Sequence, residues 1–277
     1  TTRADSSLAT AAAAVERLVE RANDPHVREA PEGDATREAM LREALSFYDH
    51  FLLERPTDPQ LRGKRCRALL RLAHVHTLLG DAQRAGASTQ ATIQEAEALW
   101  AANPTDDDLR GLLGEALDEN GTARSLLADQ AGAKASFAAA VGHLAVSAAA
   151  SPARFGCAHA IALRNEALQA PPASTEREQG LRASLHALEG LQAVVPAADL
   201  ATEYVLSACE LGDSLTLALR LAESDAVLQQ AAARLPLVAL DRLHLTYRVS
   251  TLRADVAFQG GERRSTIEHY EAALAAV

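Results

Sequence analysis

The clearest group of side chains that could do chemistry in this sequence is a row of basic residues. Lys64, Arg67 and Arg71 are spaced i, i+3 and i+7, and His74 lies nearly one turn further on. On a helix these positions share one face. Ammonium and guanidinium groups bind carboxylates and other anions. We therefore predict a contact with an acidic peptide or another anion, and the alternative is a solvated face balanced by nearby carboxylates.

Three consecutive acidic residues, Asp106 to Asp108, could in principle bind a hard cation. A calcium loop that starts at Asp106 would also need a distal glutamate at fixed spacing, which is absent here. Acidic side chains at the start of a helix bind its exposed amides and offset its dipole. We therefore predict a helix start here and no metal site.

Histidine, cysteine and serine side chains do not form a recognisable catalytic pattern. His74 and His76 are two residues apart, so on a helix they point about 200° away from each other and cannot share an ion. Neither a His-Glu-x-x-His motif nor a nucleophile elbow occurs. The sequence thus predicts no enzyme, no cofactor and no metal, with Cys66, Cys157 and Cys209 as small core residues.

The overall charge of the 277 residues is −10. Binding to DNA, RNA or an anionic membrane is driven by positive charge, so we expect a protein or peptide partner and no nucleic acid. No apolar run approaches the length of a membrane span, so we also expect no direct membrane insertion.

Helical periodicity runs through most of the chain. Apolar residues recur at spacings of three and four from about residue 6 to 21 and again from 36 to 54, which predicts two amphipathic helices. An Asp-Pro pair and a Pro- and Gly-containing connector separate them. Phe47, Tyr48 and Phe51 of the second helix are expected to seal it against the helices that follow.

Prolines then divide the remaining sequence into repeats. Pro104 follows Pro56 by 48 residues, and Pro152, Pro196 and Pro236 follow at steps of 48, 44 and 40. A fixed period of this size is typical of stacked helical hairpins. The predicted helix pairs are 58–79 with 82–102, 106–127 with 131–149, 152–169 with 174–195, 198–220 with 223–235, and 237–258 with 262–276.

The residues around the first turn resemble the tetratricopeptide repeat. The consensus has a leucine, small residues and a turn glycine at fixed places. Here they are Leu72, the alanines Ala73 and Ala85, and Gly80. The resemblance implies an all-α, tetratricopeptide-like α-solenoid of about five antiparallel hairpins preceded by two helices. We expect one domain over 1–277, with N-terminal helices in 1–55, two long regular hairpins in 56–150 and three shorter, irregular hairpins in 151–277.

A narrower likeness covers most of residues 8 to 150. The runs at 14–19 and 41–48 and the two Pro-Thr-Asp linkers are similar to the tetratricopeptide region C-terminal to the kinase domain of planctomycete-type bacterial serine/threonine kinases. This resemblance implies a regulatory or partner-binding region of a larger protein. The chain lacks the kinase motifs themselves.

In tetratricopeptide arrays the first helix of each hairpin lines the concave surface. The resemblance therefore places the basic row there. Asn120 stands where the consensus has leucine, so we predict that it also lines the groove, with Arg124 one turn further on. The alternative is that the polar stretch Asp118-Glu119-Asn120 faces water. Trp100 is expected to pack between hairpins.

The resulting functional prediction is a non-catalytic scaffold that binds a protein or peptide on its concave face, as the regulatory region of a bacterial kinase. The alternative is a self-assembling structural subunit that packs through its ends or its convex face, as a homo-oligomer. The sequence leaves two locations open: the bacterial cytoplasm, or the outer side of a membrane-anchored parent protein.

Overall fold

The computed structural model describes residues 33–54, 57–238 and 242–275, together with Val15, Arg17, Leu18, Arg21 and Ala22. Those five residues are helical, and the rest of the first predicted helix lies outside the described residues. The second predicted helix is confirmed as α1, Gly33–Glu54. The described part of the chain contains helices and turns and no β-strand.

Five helical hairpins follow α1. Their helices are α2 (Pro59–Leu78) and α3 (Ala82–Ala102), α4 (Asp107–Leu126) and α5 (Gln130–Ala150), α6 (Pro152–Ala167) and α7 (Thr175–Gly190), α8 (Ala197–Leu217) and α9 (Leu221–Arg234), and α10 (Arg242–Gln259) and α11 (Arg263–Leu274). Helices that follow one another pack together from α1 to α4 and from α6 to α11. The predicted all-α class with the helix packing of an α-solenoid is confirmed.

Most predicted helix bounds agree with the structure to within a few residues, and two do not. The helix predicted over 174–195 ends at Gly190, and Leu191–Ala193 forms a short 3-10 helix. We predicted a helix start at residue 237, but α10 starts at Arg242. Leu235–Leu237 forms a short 3-10 helix with Pro236 in it, and Val238 is extended. Proline fixes its own φ and lacks an N–H, so this linker turns before the next helix can begin.

Aspartate caps explain why two first helices begin where they do. Asp58 accepts hydrogen bonds from the amides of Gln60 and Leu61, at 2.9 and 3.2 Å. Asp106 accepts from Asp108 and Leu109, at 3.0 and 3.1 Å. Each carboxylate satisfies N–H groups that have no partner inside the helix. The prediction that the acidic run marks a helix start is confirmed.

Contacts divide the chain into two compact units, Thr1–His143 and Leu144–Val277. The boundary falls within α5. The two units are described separately below, and the prediction of one continuous solenoid over 1–277 stays a prediction.

The described residues of unit 1 form two apolar clusters. One joins the first helices to α2 through Val15, Leu41, Tyr48, Leu72 and Val75. The other joins α2, α3 and α4 and contains Cys66, Ile93, Ala96, Leu99, Leu112, Leu113 and Ala116. Burial of these side chains supplies most of the free energy that holds adjacent hairpins together.

The aromatic residues of unit 1 follow the predictions in part. Tyr48 is buried in the first cluster, as expected of a seal. Phe47 is 43% exposed, so that part of the prediction is wrong; adjacent residues on a helix point about 100° apart and cannot both face the core. The side chain of Phe51 lies outside the described residues. Trp100 packs as predicted, since it joins the second cluster and meets the His143 ring edge-on at 5.3 Å.

Unit 2 has one continuous core that runs from α6 to α10. It includes Leu181, Leu188, Tyr204, Val205, Leu211, Leu215 and Leu245. Two serine hydroxyls, Ser184 on α7 and Ser207 on α8, are buried within 3.1 Å of each other. Ser184 also donates to the carbonyl of Ala160 on α6 at 2.7 Å. Every buried hydroxyl of this group therefore has a partner.

The turns between paired helices use left-handed backbone whether or not glycine is present. Gly80 and Gly261 have φ of 74° and 79°. Ala128, Ala173 and Leu219 have φ of 59–60° at their own turns. A residue with a Cβ is strained in this region. The left-handed turn conformation therefore recurs in hairpins whose sequence lacks the turn glycine.

One described helix, α5, is long and apolar enough to cross a membrane by length and composition. This corrects the expectation that no segment meets those criteria. Alanine makes up ten of its 21 residues and Lys134 is its one charged residue. Ala133, Ser136, Phe137 and Ala140 of α5 are buried, and Phe137 fills the space beside Gly121 of α4. The helix therefore packs through one face, and 28% of its most apolar stretch is buried.

Candidate functional site

The predicted binding residues lie on two neighbouring first helices of unit 1, α2 and α4. Lys64, Arg67, Arg71 and His74 follow one another along α2. The first three are partly exposed, and His74 is about half exposed. We call the surface formed by these residues and Glu119 of α4 the α2–α4 face. Its use as a partner-binding surface stays a prediction.

Glu119 ties the two helices together at this face. Its Oε2 lies 3.3 Å from Nδ1 of His74. Its Oε1 accepts a hydrogen bond of 2.5 Å from the hydroxyl of Thr77. The sequence did not predict these contacts of Glu119, because its partners are 42 and 45 residues away in the chain.

The basic residues of the face differ in how they are held. Lys64 and Arg71 each make an interaction within the protein. Arg67 lies between them in sequence and is partly exposed. Because Lys64 and Arg71 already make interactions within the protein, Arg67 is the member best suited to a test by substitution.

Asn120 does not line a groove, and that prediction is corrected here. It is 5% exposed. Its amide nitrogen donates to Thr89 of α3 at 2.9 Å, and its amide oxygen accepts from Ser136 of α5 at 3.1 Å and from Arg124 at 2.9 Å. The side chain therefore joins three helices, and a partner has no access to its polar atoms.

Arg124 is turned toward the end of its own hairpin. Nε donates to Asn120, and Nη1 donates to Asp129 in the α4–α5 turn at 3.0 Å. Its side chain is 40% exposed. Arg124 thus fixes the turn onto the Asn120 network, and the structure does not place it with the basic residues of α2.

The two histidines of α2 differ in burial, and His76 is the buried one. It is 3% exposed, and neither ring nitrogen has a hydrogen-bond partner among the described residues. Its Nε2 lies 3.5 Å from Oε1 of Glu38 on α1. The hydrogen bond from Arg42 lowers the pKa of Glu38, so this carboxylate is held ionised beside the buried imidazole.

The three cysteines are confirmed as free and as wholly or partly buried. Burial raises the pKa of the Cys66 and Cys209 thiols to about 12 and that of Cys157 to about 11. Nucleophilic cysteines need a lowered pKa. These thiols are therefore neutral packing groups at physiological pH.

Unit 2 contains a second polar cluster that sequence reasoning did not find. Glu210 of α8 accepts hydrogen bonds from Arg177 of α7 at 3.1 Å and from Arg248 of α10 at 2.5 Å. Asp213, one turn along α8, has no hydrogen bond in the described part of the chain. Burial, followed by the charge of Glu210, raises the pKa of Asp213. The cluster holds α7, α8 and α10 together, and it includes one carboxylate, Asp213, whose ionised form is disfavoured by burial.

These features define an all-α protein of the helical-repeat class whose described polar clusters connect helices. Residues 11–129 match the family model of the bacterial transcriptional activator domain, which covers less than half of the chain and includes α1 to α4. No curated protein matches the chain. The match agrees with the helical-repeat resemblance, and it carries no kinase association.

The match overturns one prediction about partners. We expected no nucleic acid, but bacterial transcriptional activators act at DNA, so that expectation is wrong. The inference failed because net charge sums over 277 residues, whereas a partner meets a local surface. The basic residues of α2 lie within the matched segment.

Proposed function

We propose that this chain is the helical interaction region of a bacterial transcriptional activator. The α2–α4 face binds an acidic segment of a protein partner while the activator is at its promoter. The match of residues 11–129 to the bacterial transcriptional activator domain carries the proposal. The basic row Lys64, Arg67 and Arg71 on an accessible first helix supports the choice of surface.

The chemistry of such a contact is charge-assisted hydrogen bonding. Guanidinium groups hold carboxylates in a planar, two-bond geometry and lose little hydration when they do so. The helices supply a rigid base, because α2 is held by apolar contacts on both sides. Binding alone is sufficient for this role, so the proposal includes no catalytic step.

Chromatin immunoprecipitation of the natural full-length protein tests the proposal. We expect enrichment at promoters, and lower transcription from those promoters when the gene is deleted. Uniform background over the genome, with no change in transcription after deletion, would overturn it. Fluorescence anisotropy of the purified chain with promoter DNA, at several salt concentrations, separates direct DNA contact from recruitment through a partner.

A second candidate is the regulatory region of a bacterial serine/threonine kinase. It is favoured by the two Pro-Thr-Asp linkers, whose aspartates both cap first helices. The two proposals differ in what the natural protein contains. Autophosphorylation of the full-length protein with labelled ATP, without promoter enrichment, would favour the kinase.

A further inference from the structure

A cleft in unit 2 has the size of a small-molecule site and several polar groups on its lining. It lies between α9, α10 and α11 and has a volume of about 600 Å³. Ligand sites are typically clefts of about 300–1,000 Å³ with a few convergent polar groups. The accessible lining of this cleft is more polar than apolar. The lining residues here are Leu221, Ala222, Asp225, Arg253, Val256, Ala257, Gly260, Glu262, Ser265 and His269.

The polar centre of the cleft is Arg253 of α10. Its Nε lies 3.4 Å from Oδ1 of Asp225 on α9. The other oxygen of Asp225 accepts a hydrogen bond of 2.6 Å from Gln229. The terminal nitrogens of Arg253 make no hydrogen bond within the described residues. Asp225 thus orients the guanidinium from one side and leaves its two-nitrogen end available.

His269 of α11 lies on the same cleft. Burial, and then the charge of Arg253, lowers the pKa of His269. The imidazole is therefore neutral at physiological pH and can donate or accept a hydrogen bond. Ser265, one turn earlier on α11, adds a hydroxyl.

The charges around Arg253 limit which anion fits. Asp225 is 39% exposed and Glu262 lies on the same lining. These carboxylates would repel a polyphosphate or another multiply charged ligand. A single compact anionic group can meet the end of the guanidinium while an apolar body lies on Leu221, Val256 and Ala257.

We propose that this cleft binds a small molecule with one carboxylate, which Arg253 holds through its terminal nitrogens. His269 and Ser265 complete the hydrogen bonds of the carboxylate. The site is separate from the α2–α4 face, and its occupancy can be measured without any transcriptional readout.

Naphthalene-2-carboxylate is a suitable probe, with naphthalene-2-carboxamide as its neutral counterpart. We expect saturable, one-to-one binding of the carboxylate by isothermal titration calorimetry, and binding of the amide at least about tenfold weaker. N-Acetyl-leucyl-phenylalanine supplies the carboxylate of a peptide end. It is expected to bind more weakly than the naphthoate, and tighter binding would overturn the assignment to a small molecule.

Matched variants locate the site. Arg253→Gln should weaken binding at least about tenfold, whereas Arg263→Gln, an exposed arginine outside the cleft, should leave it unchanged. Ala222→Phe should block the cleft from its exposed wall. Ala226→Phe, also exposed on α9 but outside the cleft, should not. Circular dichroism establishes that each variant is folded.

His269 gives an independent readout. A bound carboxylate stabilises the imidazolium form, so the pKa of His269 measured by NMR should rise when naphthoate saturates the protein. An unchanged His269 titration, equal binding of the amide, or full binding by the Arg253→Gln variant would each overturn the proposal, as would the lack of saturable binding.

Discussion

At the scale of single residues, the polar side chains of this protein fall into two groups with different uses. Asn120 and Glu210 are hubs that accept or donate hydrogen bonds between helices. Arg67 is a partly exposed member of a row on one helix. Sequence spacing predicts rows well, because it reports which residues share a face. It does not predict hubs, whose partners come from other helices.

Replacement of the Asn120 hub should destabilise unit 1. Asn120→Ala removes three hydrogen bonds and leaves the buried Ser136 and Thr89 hydroxyls with fewer partners, so we expect a loss of about 1–3 kcal/mol in the free energy of unfolding. Urea denaturation measures it. Gln94→Ala, at an exposed position of α3, is the control and should stay within about 0.5 kcal/mol. Equal urea midpoints for the two variants would contradict the claim that the Asn120 hydrogen bonds stabilise unit 1.

The unpaired carboxylate of Asp213 predicts a pH effect. Its pKa is raised from 3.8 in the folded state, so the folded protein binds its proton more tightly than the unfolded chain does. Stability is then lost as pH rises from 3.8 through the raised pKa, and the loss is complete above it. Asp213→Asn should therefore raise the free energy of unfolding at pH 7.

The same substitution should give a smaller gain as the pH falls toward 3.8, where the wild-type carboxyl is itself protonated. Urea denaturation at a series of pH values measures the difference between the two proteins. A gain that does not change with pH, or a loss at pH 7, would contradict the effect of burial on Asp213.

At the scale of the helices, close packing and turn conformation make glycine matter at particular places. A Cβ at Gly121 of α4 would lie 2.6 Å from the Phe137 ring of α5. A Cβ at Gly86 of α3 would meet nothing within 4 Å. The Gly121 contact sets how closely α4 and α5 approach, whereas Gly86 serves no such purpose.

The same substitution should therefore have opposite effects at these two sites. Gly86→Ala should stabilise the protein by about 0.5–1 kcal/mol through helix propensity. Gly121→Ala should destabilise it by about 1–3 kcal/mol through overpacking. Thermal unfolding of both variants provides the comparison, and two changes of the same sign would refute the close α4–α5 contact.

Turn strain gives a second prediction at this scale. Ala128 has φ of 60° at the position that corresponds to Gly80 of the preceding hairpin. Left-handed backbone costs an alanine roughly 1–2 kcal/mol. Glycine avoids this cost, but it raises the conformational entropy of the unfolded chain, which offsets part of the gain in stability. Ala128→Gly should raise the free energy of unfolding by up to about 1 kcal/mol, and Gly80→Ala should lower it. Denaturant titration of the two variants measures both changes.

At the scale of the whole molecule, the proline period and the apolar spacing were sufficient to predict five hairpins and most of their bounds. The Leu235–Leu237 turn was missed because periodicity does not show where a proline linker becomes a helix. The Asn120 prediction failed because the consensus place alone does not distinguish an exposed position from one covered by α3 and α5. The activator match depends on a family pattern that spacing does not show.

Self-assembly is the alternative that applies to the whole molecule. The exposed leucines of unit 1 include two pairs at hairpin tips, Leu78 with Leu79 and Leu126 with Leu127. Separate pairs of this kind are common on monomeric surfaces, whereas stable interfaces need broad apolar areas. We expect light scattering to give the same mass over a wide concentration range. A mass that rises with concentration would favour the structural-subunit alternative.

The central claim is that the α2–α4 face carries the partner contact of a transcriptional activator. Its most direct test is transcription from a promoter bound by the natural protein, compared between wild type, Arg67→Glu and the control Arg263→Glu on α11. We predict that Arg67→Glu loses most activation while its circular dichroism and promoter occupancy are retained, and that Arg263→Glu activates normally. Full activation by the Arg67→Glu variant would contradict the claim.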